Sequence, residues 1–466
     1  MRTPDLAVIG AGSAGFSAAI RASELGASVA LIGYGTIGGT CVNIGCVPSK
    51  TLIRATETLH GAHAASRFAG IEASARITNW ASVIAQKDEL VGALRQAKYR
   101  DLLPAYEEIE YIEGRARLTR DGIDIDGDLI QPGKIVIATG AAPRTPAIVG
   151  LEKVAWLTST TALELRELPA SMMVIGGGVI GCELGQMFAR AGVHVTILCR
   201  SRLLPTEEAE ISDALASYLR AEGIDVRCAL TYERIAANND GAVLTVRNAD
   251  GMREEIAAER VLIATGRTPN SAGLGLAEVG IRTNVGGGID VDAQMQTSRA
   301  GTYAAGDVTG RDLFVYMAAY GAKVAVENAL SGSGRTYDAR AMPQVTFTDP
   351  QVATVGLTQE AATARGFDVQ TVRLELHDVP RALAARDTRG FFKLVADRAT
   401  GKLLGAHILA PEAGDSIQAA VLAIKHGLTV TDLADTIFPY LTMVEGLKLA
   451  AVGFNKDLGK LSCCAG

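Results

Sequence analysis

Two stretches of the chain carry the same order of apolar and small residues. Leu6-Ala7-Val8-Ile9 is an unbroken apolar run that enters Gly10-Ala11-Gly12-Ser13-Ala14-Gly15, continues through an alanine-rich segment to Gly26, and is followed by a second apolar run from Ser28 to Ile32. Met172-Met173-Val174-Ile175 enters Gly176-Gly177-Gly178-Val179-Ile180-Gly181 in the same way, with a segment to Gly192 and an apolar run from Val193 to Leu198 behind it. Short continuous apolar runs bounded by glycine predict strands covered on both faces, and the small-residue segments between them predict helices. Each stretch therefore reads strand, glycine turn, helix, strand, the context in which a G-x-G-x-x-G turn holds a dinucleotide. Gly10 and Gly176 make the turn. Gly12 and Gly178 let the backbone approach a pyrophosphate, and Gly15 and Gly181 let the helix pack on its strand. Ser13-Ala14 and Val179-Ile180 open the two helices, whose free N–H groups face the phosphates.

The duplication extends further. Each unit is followed by an apolar strand ending in one tetrapeptide, Ile137-Ala138-Thr139-Gly140 and Ile263-Ala264-Thr265-Gly266, which marks an internal repeat. A third signature, Thr302-Tyr303-Ala304-Ala305-Gly306-Asp307, is a strand that delivers an acid at its carboxyl end. After about residue 338 the pattern changes to strands (Gln344 to Thr348, Phe391 to Val395, Gly405 to Leu409) followed by helices. The predicted fold is α/β, with two Rossmann-like dinucleotide-binding domains and a C-terminal α+β domain. The segments are 1–145 and 268–337 for the first domain, 146–267 for the second, and 338–466 for the third.

Composition narrows the function. Forty-five basic against fifty-one acidic residues leave a net charge of −6, which disfavours nucleic acid or an anionic lipid surface as the main partner. No apolar run approaches the ~20 residues of a membrane span. The N-terminus enters a strand almost at once, without the pattern of a secretory signal, so the expected location is cytoplasmic. Seven cysteines do not form a secreted disulfide framework. Cys182, Cys199 and Cys228 lie among apolar neighbours and are expected to be inert packing; Cys41 with Cys46 and Cys463 with Cys464 form close pairs, neither with zinc-site spacing. The acid that usually ends the second strand of a dinucleotide unit is missing from the first domain, where Gly33 stands, predicting a weakened or rerouted contact to the adenosine ribose. In the second domain the strand ends in Cys199-Arg200-Ser201-Arg202, and the arginines suit a 2′-phosphate, so NADPH is expected in preference to NADH.

The segment Gly38-Gly39-Thr40-Cys41-Val42-Asn43-Ile44-Gly45-Cys46-Val47-Pro48-Ser49-Lys50 resembles the redox-active motif of the flavoprotein disulfide reductases, and the resemblance runs through both glycine turns, both repeated tetrapeptides, Gly306-Asp307 and the C-terminal domain. It implies FAD on the first domain, held around Gly10 to Gly15, Gly39, Thr40, Thr139, Gly140, Gly306 and Asp307, the last at the ribityl chain. It implies a nicotinamide on the second, held around Gly176 to Gly181 and Gly266. It implies a homodimer in which the C-terminal domain completes the partner's active site. By the same resemblance Cys41 and Cys46 form a redox-active disulfide, Cys46 against the flavin and Cys41 outward. Lys50 lies near the flavin, paired with Glu183. A disulfide that closes so short a loop at a helix start is labile, and a thiolate there is favoured.

Members that reduce glutathione or lipoamide disulfides protonate the departing thiolate with a histidine in a His-Pro-Thr-x-x-Glu pattern near the C-terminus. The matching stretch here is Phe438-Pro439-Tyr440-Leu441-Thr442-Met443-Val444-Glu445, with Tyr440 in the histidine's place and Glu445 in register. A tyrosine, with an ordinary pKa of about 10, is a poor proton shuttle near neutrality. This stretch and the tail Leu461-Ser462-Cys463-Cys464-Ala465-Gly466 resemble the mercuric-ion-reducing branch of the family. Adjacent thiolates suit a soft metal ion and pass it on by ligand exchange. That resemblance implies that Hg(II), arriving as a thiol complex, moves from Cys463 and Cys464 of one subunit to Cys41 and Cys46 of the other, flanked by Tyr99 and the partner's Tyr440. Hg(II) is then reduced with electrons from NADPH. The amino-terminal Cys-x-x-Cys metal-binding domain of some such members is not expected. The alternatives are a thiol-disulfide reductase of the glutathione-, lipoamide- or thioredoxin-reducing kind with Tyr440 replacing the histidine, and a catalytically silent metal chelator.

Overall fold

The computed structural model describes residues 2–457; Cys463 and Cys464 lie outside the described residues. The first sheet has five parallel strands in the order Thr302–Ala304, Lys134–Ile137, Leu6–Ile9, Val29–Gly33, Ile109–Glu113. Its edge strand comes from far along the chain, so the first dinucleotide unit is closed only after the second has been inserted. That second unit is another parallel sheet, in the order Asp225–Arg227, His194–Leu198, Ser171–Ile175, Arg260–Ile263, Trp156–Leu157. The central strands are apolar throughout because both faces are covered, and Leu6–Ile9 and Met172 to Ile175 are buried at every position. Helices cover one face (Leu6 and Val8 against Phe16 and Ala322; Met172 and Val174 against Met187 and Leu215). Antiparallel strands cover the other (Ala7 and Ile9 against Ile123 and Ile125; Met173 and Ile175 against Leu244 and Ile256).

The two units match at the atomic level. Gly10 (φ +120°) and Gly176 (φ +126°) both turn in the left-handed half of backbone space. A β-carbon on either would come within 2.3 Å of a carbonyl oxygen, that of Ala138 in one case and Ala264 in the other. The repeated tetrapeptide is thus the surface against which each glycine turn is pressed. At the third glycine, a β-carbon on Gly15 or Gly181 would stand 1.7 or 1.9 Å from the carbonyl of the first, so only hydrogen allows each helix to start there.

The C-terminal unit is an antiparallel sheet ordered Pro343–Thr346, Gln351–Gly356, Leu403–Ala410, Phe391–Asp397, Val369–Glu375, with the helices Ala413–His426 and Glu445–Val452 in its core. Two of these strands, Gln351–Gly356 and Val369–Glu375, have no counterpart among the strands expected from the sequence, nor do the two antiparallel meanders (Ala116–Leu118, Ile123–Ile125, Asp128–Ile130; Thr231–Asn238, Gly241–Arg247, Arg253–Ala258). Val369–Glu375 is half-buried at the sheet edge and alternates only weakly. The strand expected to reach Thr348 stops at Thr346, because the next donors leave the ladder. Phe347 N–H donates to Glu183 Oε1 (2.9 Å) and Asp349 N–H to Gln186 Oε1 (2.8 Å), both on the helix Val179–Arg190.

The units share one apolar core, in which Leu52, Ile53 and Ile84 of the first meet Cys182, Met187 and Phe188 of the second and Phe391 and Leu409 of the third. A buried ionic network closes the same junction. Arg190 pairs with Glu222 (2.7 Å) and Asp349 (2.9 Å), and Arg389 with Asp349 (2.9 Å) and Asp387 (2.8 Å). Burial alone would raise the Asp349 carboxyl; Arg389 and Arg190 outweigh it and hold the pKa below its usual value. Among the described residues no helix is long and apolar enough to cross a membrane.

Removing one member of such a network strands buried charge, so Arg190→Met is expected to destabilise the protein by roughly 3–5 kcal/mol in denaturant unfolding at matched protein concentration. Because the native Asp349 pKa is depressed, its stabilising contribution is present above the unfolded carboxylate value and is lost as pH falls through the native one. Acidification should therefore narrow the stability gap between wild type and Arg190→Met.

Candidate active site

A cavity of about 980 Å³ opens where the three units meet. Its walls include Gly10, Gly12, Ser13 and Ala14 of the first glycine turn, Gly39, Thr40, Cys41, Cys46 and Lys50 of the cysteine segment, Thr139 and Gly140 of the first tetrapeptide, and Gly306 and Asp307. From the second unit it takes Val179, Ile180 and Glu183, and from the third Val345 and Phe347. Chain segments remote in sequence are thus gathered around one space large enough for an extended organic ligand.

The cysteine segment folds as two helices, Gly39–Ile44 and Cys46–His63, separated by Gly45. Cys41 lies within the short helix and Cys46 is the first residue of the long one. A β-carbon on Gly45 would stand 2.9 Å from the Thr40 carbonyl oxygen and 3.3 Å from the Cys41 α-carbon, so this glycine permits the thiols to approach. Asn43 staples the loop between them by donating to the carbonyls of Ile37 (2.9 Å) and Gly39 (2.8 Å). Cys41 and Cys46 are both free thiols in this structure. The hydrogen bond from Cys41 lowers the Cys46 pKa to about 6 against the effect of burial, and the Lys50 charge adds to the lowering. Cys41, the donor, moves the opposite way. Cys46 is therefore the sulfur favoured as thiolate, and Cys41 the one favoured to hold the proton.

Lys50 lies one helical turn beyond Cys46. Its Nζ donates to Glu183 Oε2 at 2.6 Å and stands 4.8 Å from the centre of the Phe347 ring. The Glu183 side chain is 4% exposed, and its other oxygen accepts the Phe347 N–H. Asp307, opposite, is raised by burial and lowered by Arg267, whose Nε lies 3.5 Å from Asp307 Oδ2. That Nε is buried without a hydrogen-bond partner among the described residues, leaving a donor at the cavity wall.

Other expected residues lie elsewhere. Tyr99 is outside the lining, edge-on to Phe16 (4.9 Å between ring centres) and against Gly38; burial raises its pKa, a Ser13 hydrogen bond lowers it, and the Cys41 charge raises it. Tyr440 is 53% exposed on the C-terminal unit and does not line the cavity of its own chain. Glu445 is buried with its pKa raised by that burial. Gly15, Gly176, Gly178, Gly181 and Gly266 are outside the lining as well. Arg200 is exposed, whereas Arg202 donates to the carbonyls of Glu207 (2.9 Å) and Pro205 (3.3 Å). Among the described residues no three His, Cys, Asp or Glu side chains are grouped as a metal site.

Several cavity residues escaped the sequence reading. Arg267 follows the second tetrapeptide directly, a signal that the repeat could have supplied. Tyr316, raised by burial and by the Cys46 charge, and Phe347 had no local signal. The absent acid at Gly33 has a steric cause: a β-carbon there would lie 2.6 Å from the Tyr111 hydroxyl and 2.8 Å from the Ala11 β-carbon. Beside it Arg115 donates to the Tyr34 hydroxyl (2.6 Å), its guanidinium 4.2 Å from that ring's centre, and both residues line the cavity. Cys182 and Cys199 pack in the apolar core with Cys228 against it, as expected; the sulfurs of Cys199 and Cys228 are 3.0 Å apart because adjoining strand ends bring them together.

Residues 4–330 match the family described as pyridine nucleotide-disulphide oxidoreductase, and residues 342–451 match its dimerisation domain. The chain is 48% identical to a mercuric reductase of Streptomyces lividans, covering 99% of this chain and 98% of that one. It is also 48% identical to a mercuric reductase of Lysinibacillus sphaericus, covering 99% and 84%. Among solved structures, a hypochlorous-acid-induced flavoprotein disulfide reductase of Escherichia coli, in its Cu(II) complex, superposes with a TM-score of 0.86 at 32% identity, covering 98% of this chain and 100% of that one.

The charges around Cys46 set opposite expectations for two variants. Lys50→Met removes a charge that favours the thiolate and should raise the Cys46 pKa; Glu183→Gln removes one that opposes it and should lower the pKa. The pH dependence of Cys46 alkylation in the reduced protein measures both, and shifts of the same sign would contradict the arrangement.

Proposed function

The chain belongs to the pyridine nucleotide-disulphide oxidoreductase family, and from that membership we propose that it is a mercuric reductase, an FAD-dependent oxidoreductase that uses NADPH to reduce Hg(II). The observation that carries the proposal is the Cys41/Cys46 pair in the wall of the cavity of a chain 48% identical to mercuric reductases. The reaction balances as Hg(II) and NADPH giving Hg(0), NADP⁺ and a proton.

The cavity fits FAD in volume, in its glycine-turn cradle and in the buried Arg267 donor. Gly10, Gly12, Ser13, Ala14, Gly15, Gly39, Thr40, Thr139, Gly140, Gly306, Asp307 and Arg267 would hold it, with Tyr34 and Arg115 in place of the usual ribose acid. When bound, FAD supplies the two-electron connection between a nicotinamide and the thiol pair. The second glycine turn, Gly176, Gly178, Val179, Ile180, Gly181 and Gly266, would hold NADPH, with Arg200 and Arg202 toward its 2′-phosphate. The domain division 1–145 with 268–337, 146–267 and 338–466 follows from these assignments.

Cys41, the outward sulfur, and Cys46 take Hg(II) from the incoming thiol complex by ligand exchange; the thiolates they displace leave, one of them carrying the proton that Cys41 loses. Glu183 orients Lys50, and Lys50 keeps positive charge beside both sulfurs. The matched dimerisation domain supports a homodimer. Within it, Cys463 and Cys464 of the partner subunit deliver Hg(II). Tyr99 and Tyr440 of the partner subunit flank it, and Glu445 positions the Tyr440 loop. The free thiols that this chemistry requires support a cytoplasmic enzyme.

NADPH oxidation that depends on Hg(II) in excess thiol and releases elemental mercury vapour is the expected result, lost in Cys46→Ser. Oxidation supported only by glutathione or lipoamide disulfide would establish the thiol-disulfide reductase instead, and no oxidation the chelator. Replacing Cys463 and Cys464 by alanine should impair turnover of bulky thiol–mercury complexes more than of small ones; equal effects would refute the relay.

A further inference from the structure

Cys199 and Cys228 lie outside the cavity. Cys199 directly follows the strand His194–Leu198, and Cys228 directly follows its parallel neighbour Asp225–Arg227, whose register pairs Leu198 with Arg227. The two cysteines therefore stand side by side where the strands end. Backbone bonds tie both flanks: Cys199 N–H donates to the Arg227 carbonyl (3.0 Å), Leu230 N–H to the Cys199 carbonyl (3.1 Å) and Ala229 N–H to the Ser201 carbonyl (2.9 Å). Neighbouring strands run about 4.7–4.9 Å apart, within the range of α-carbon separations that a disulfide bridges. The sulfurs, 3.0 Å apart, need to close by only about 1 Å to bond.

The pair is chemically asymmetric. Cys199 is buried at 4% exposure, whereas Cys228 is half-buried and reachable from solvent. The hydrogen bond from Cys199 lowers the Cys228 pKa to about 7 despite burial, with the Arg220 charge assisting. Cys228 has the character of an attacking thiolate and Cys199 that of a resolving thiol. The location also matters. A β-carbon on Gly177, inside the second glycine turn, would meet Cys199 Cβ at 2.9 Å and its Sγ at 3.3 Å, and Arg200 is the next residue along the chain.

We propose that Cys199 and Cys228 are a second redox pair, which peroxide closes to a disulfide that weakens NADPH binding at the adjoining glycine turn. The Cys228 thiolate attacks one peroxide oxygen, giving a sulfenic acid and hydroxide. The Cys199 thiol then attacks the sulfenic sulfur, forming the S–S bond and releasing water. Two thiols and one hydrogen peroxide thus give one disulfide and two waters. Closure repositions the Cys199 side chain, which packs against Gly177 and directly precedes Arg200. The cofactor part of this inference rests on the assignment of NADPH to the second unit.

The test uses the full-length holoenzyme, treated with hydrogen peroxide without NADPH, quenched with catalase and alkylated. Peptide mass spectrometry without reductant should recover a peptide pair joined through Cys199 and Cys228. The KM for NADPH should rise threefold or more, and dithiothreitol should restore both. Cys228→Ser under the same treatment should show no rise in its own KM. Full alkylation of Cys199 and Cys228 after peroxide would overturn the proposal, and this readout needs no variant to fold. A linked pair with an unchanged KM would overturn the coupling to NADPH. Equal KM values for NADPH and NADH before oxidation would instead refute the role of Arg200 and Arg202, leaving the linkage result to stand on its own.

Discussion

The carboxylate of Glu183 is the constraint around which the three units are arranged. It is nearly without solvent, and a buried carboxylate is tolerated only when its charge is met and its lone pairs are used. One oxygen takes Lys50 from the first unit, the other the backbone N–H of Phe347 from the third, while Glu183 itself stands on the helix Val179–Arg190 of the second. Satisfying this one group therefore fixes the cysteine-bearing helix, the second glycine turn and an end of the C-terminal sheet relative to each other. The Arg190 and Arg389 network extends the same logic along that helix, and the shared apolar core fills the space between.

That junction also sets the chemistry of the thiols. Lys50 is held by Glu183 close enough to favour the Cys46 thiolate, yet its charge is partly neutralised by the group that holds it. The greater effect comes from within the cysteine segment, where Gly45 removes the bulk that would keep Cys41 from donating its proton toward Cys46. Local backbone geometry thus provides the sulfur pair, and the long-range ion pair tunes it. The same physics recurs at Cys199 and Cys228, where paired strand ends, rather than a glycine between helices, bring two sulfurs together.

Residues that depart from the familiar pattern turn out to be consistent with their surroundings. Gly33 is glycine because Tyr111 and Ala11 leave no room for a side chain, and the Tyr34–Arg115 pair stands beside it at the cavity wall. Tyr440 stands on the surface of the C-terminal unit, outside the cavity of its own chain.

How much was legible in the sequence follows from the range of the interactions. The repeated glycine turns, the tetrapeptides pressed against them and the Cys41–Cys46 spacing are local patterns. Each is dictated by contacts that only small residues allow, so strand, turn and helix could be read directly. The edge strand Val369–Glu375 and the early end of Pro343–Thr346 could not, because one is stabilised by a neighbouring strand and the other is cut short by donors taken up by Glu183 and Gln186. Likewise the sequence alone identified Lys50 and the two cysteines, but not Arg267, Tyr316 or Phe347 at the cavity wall, nor the meeting of Cys199 with Cys228. Local sterics are written in consecutive residues. Which remote side chains face one another is decided only when burial of charge and apolar surface closes the tertiary structure.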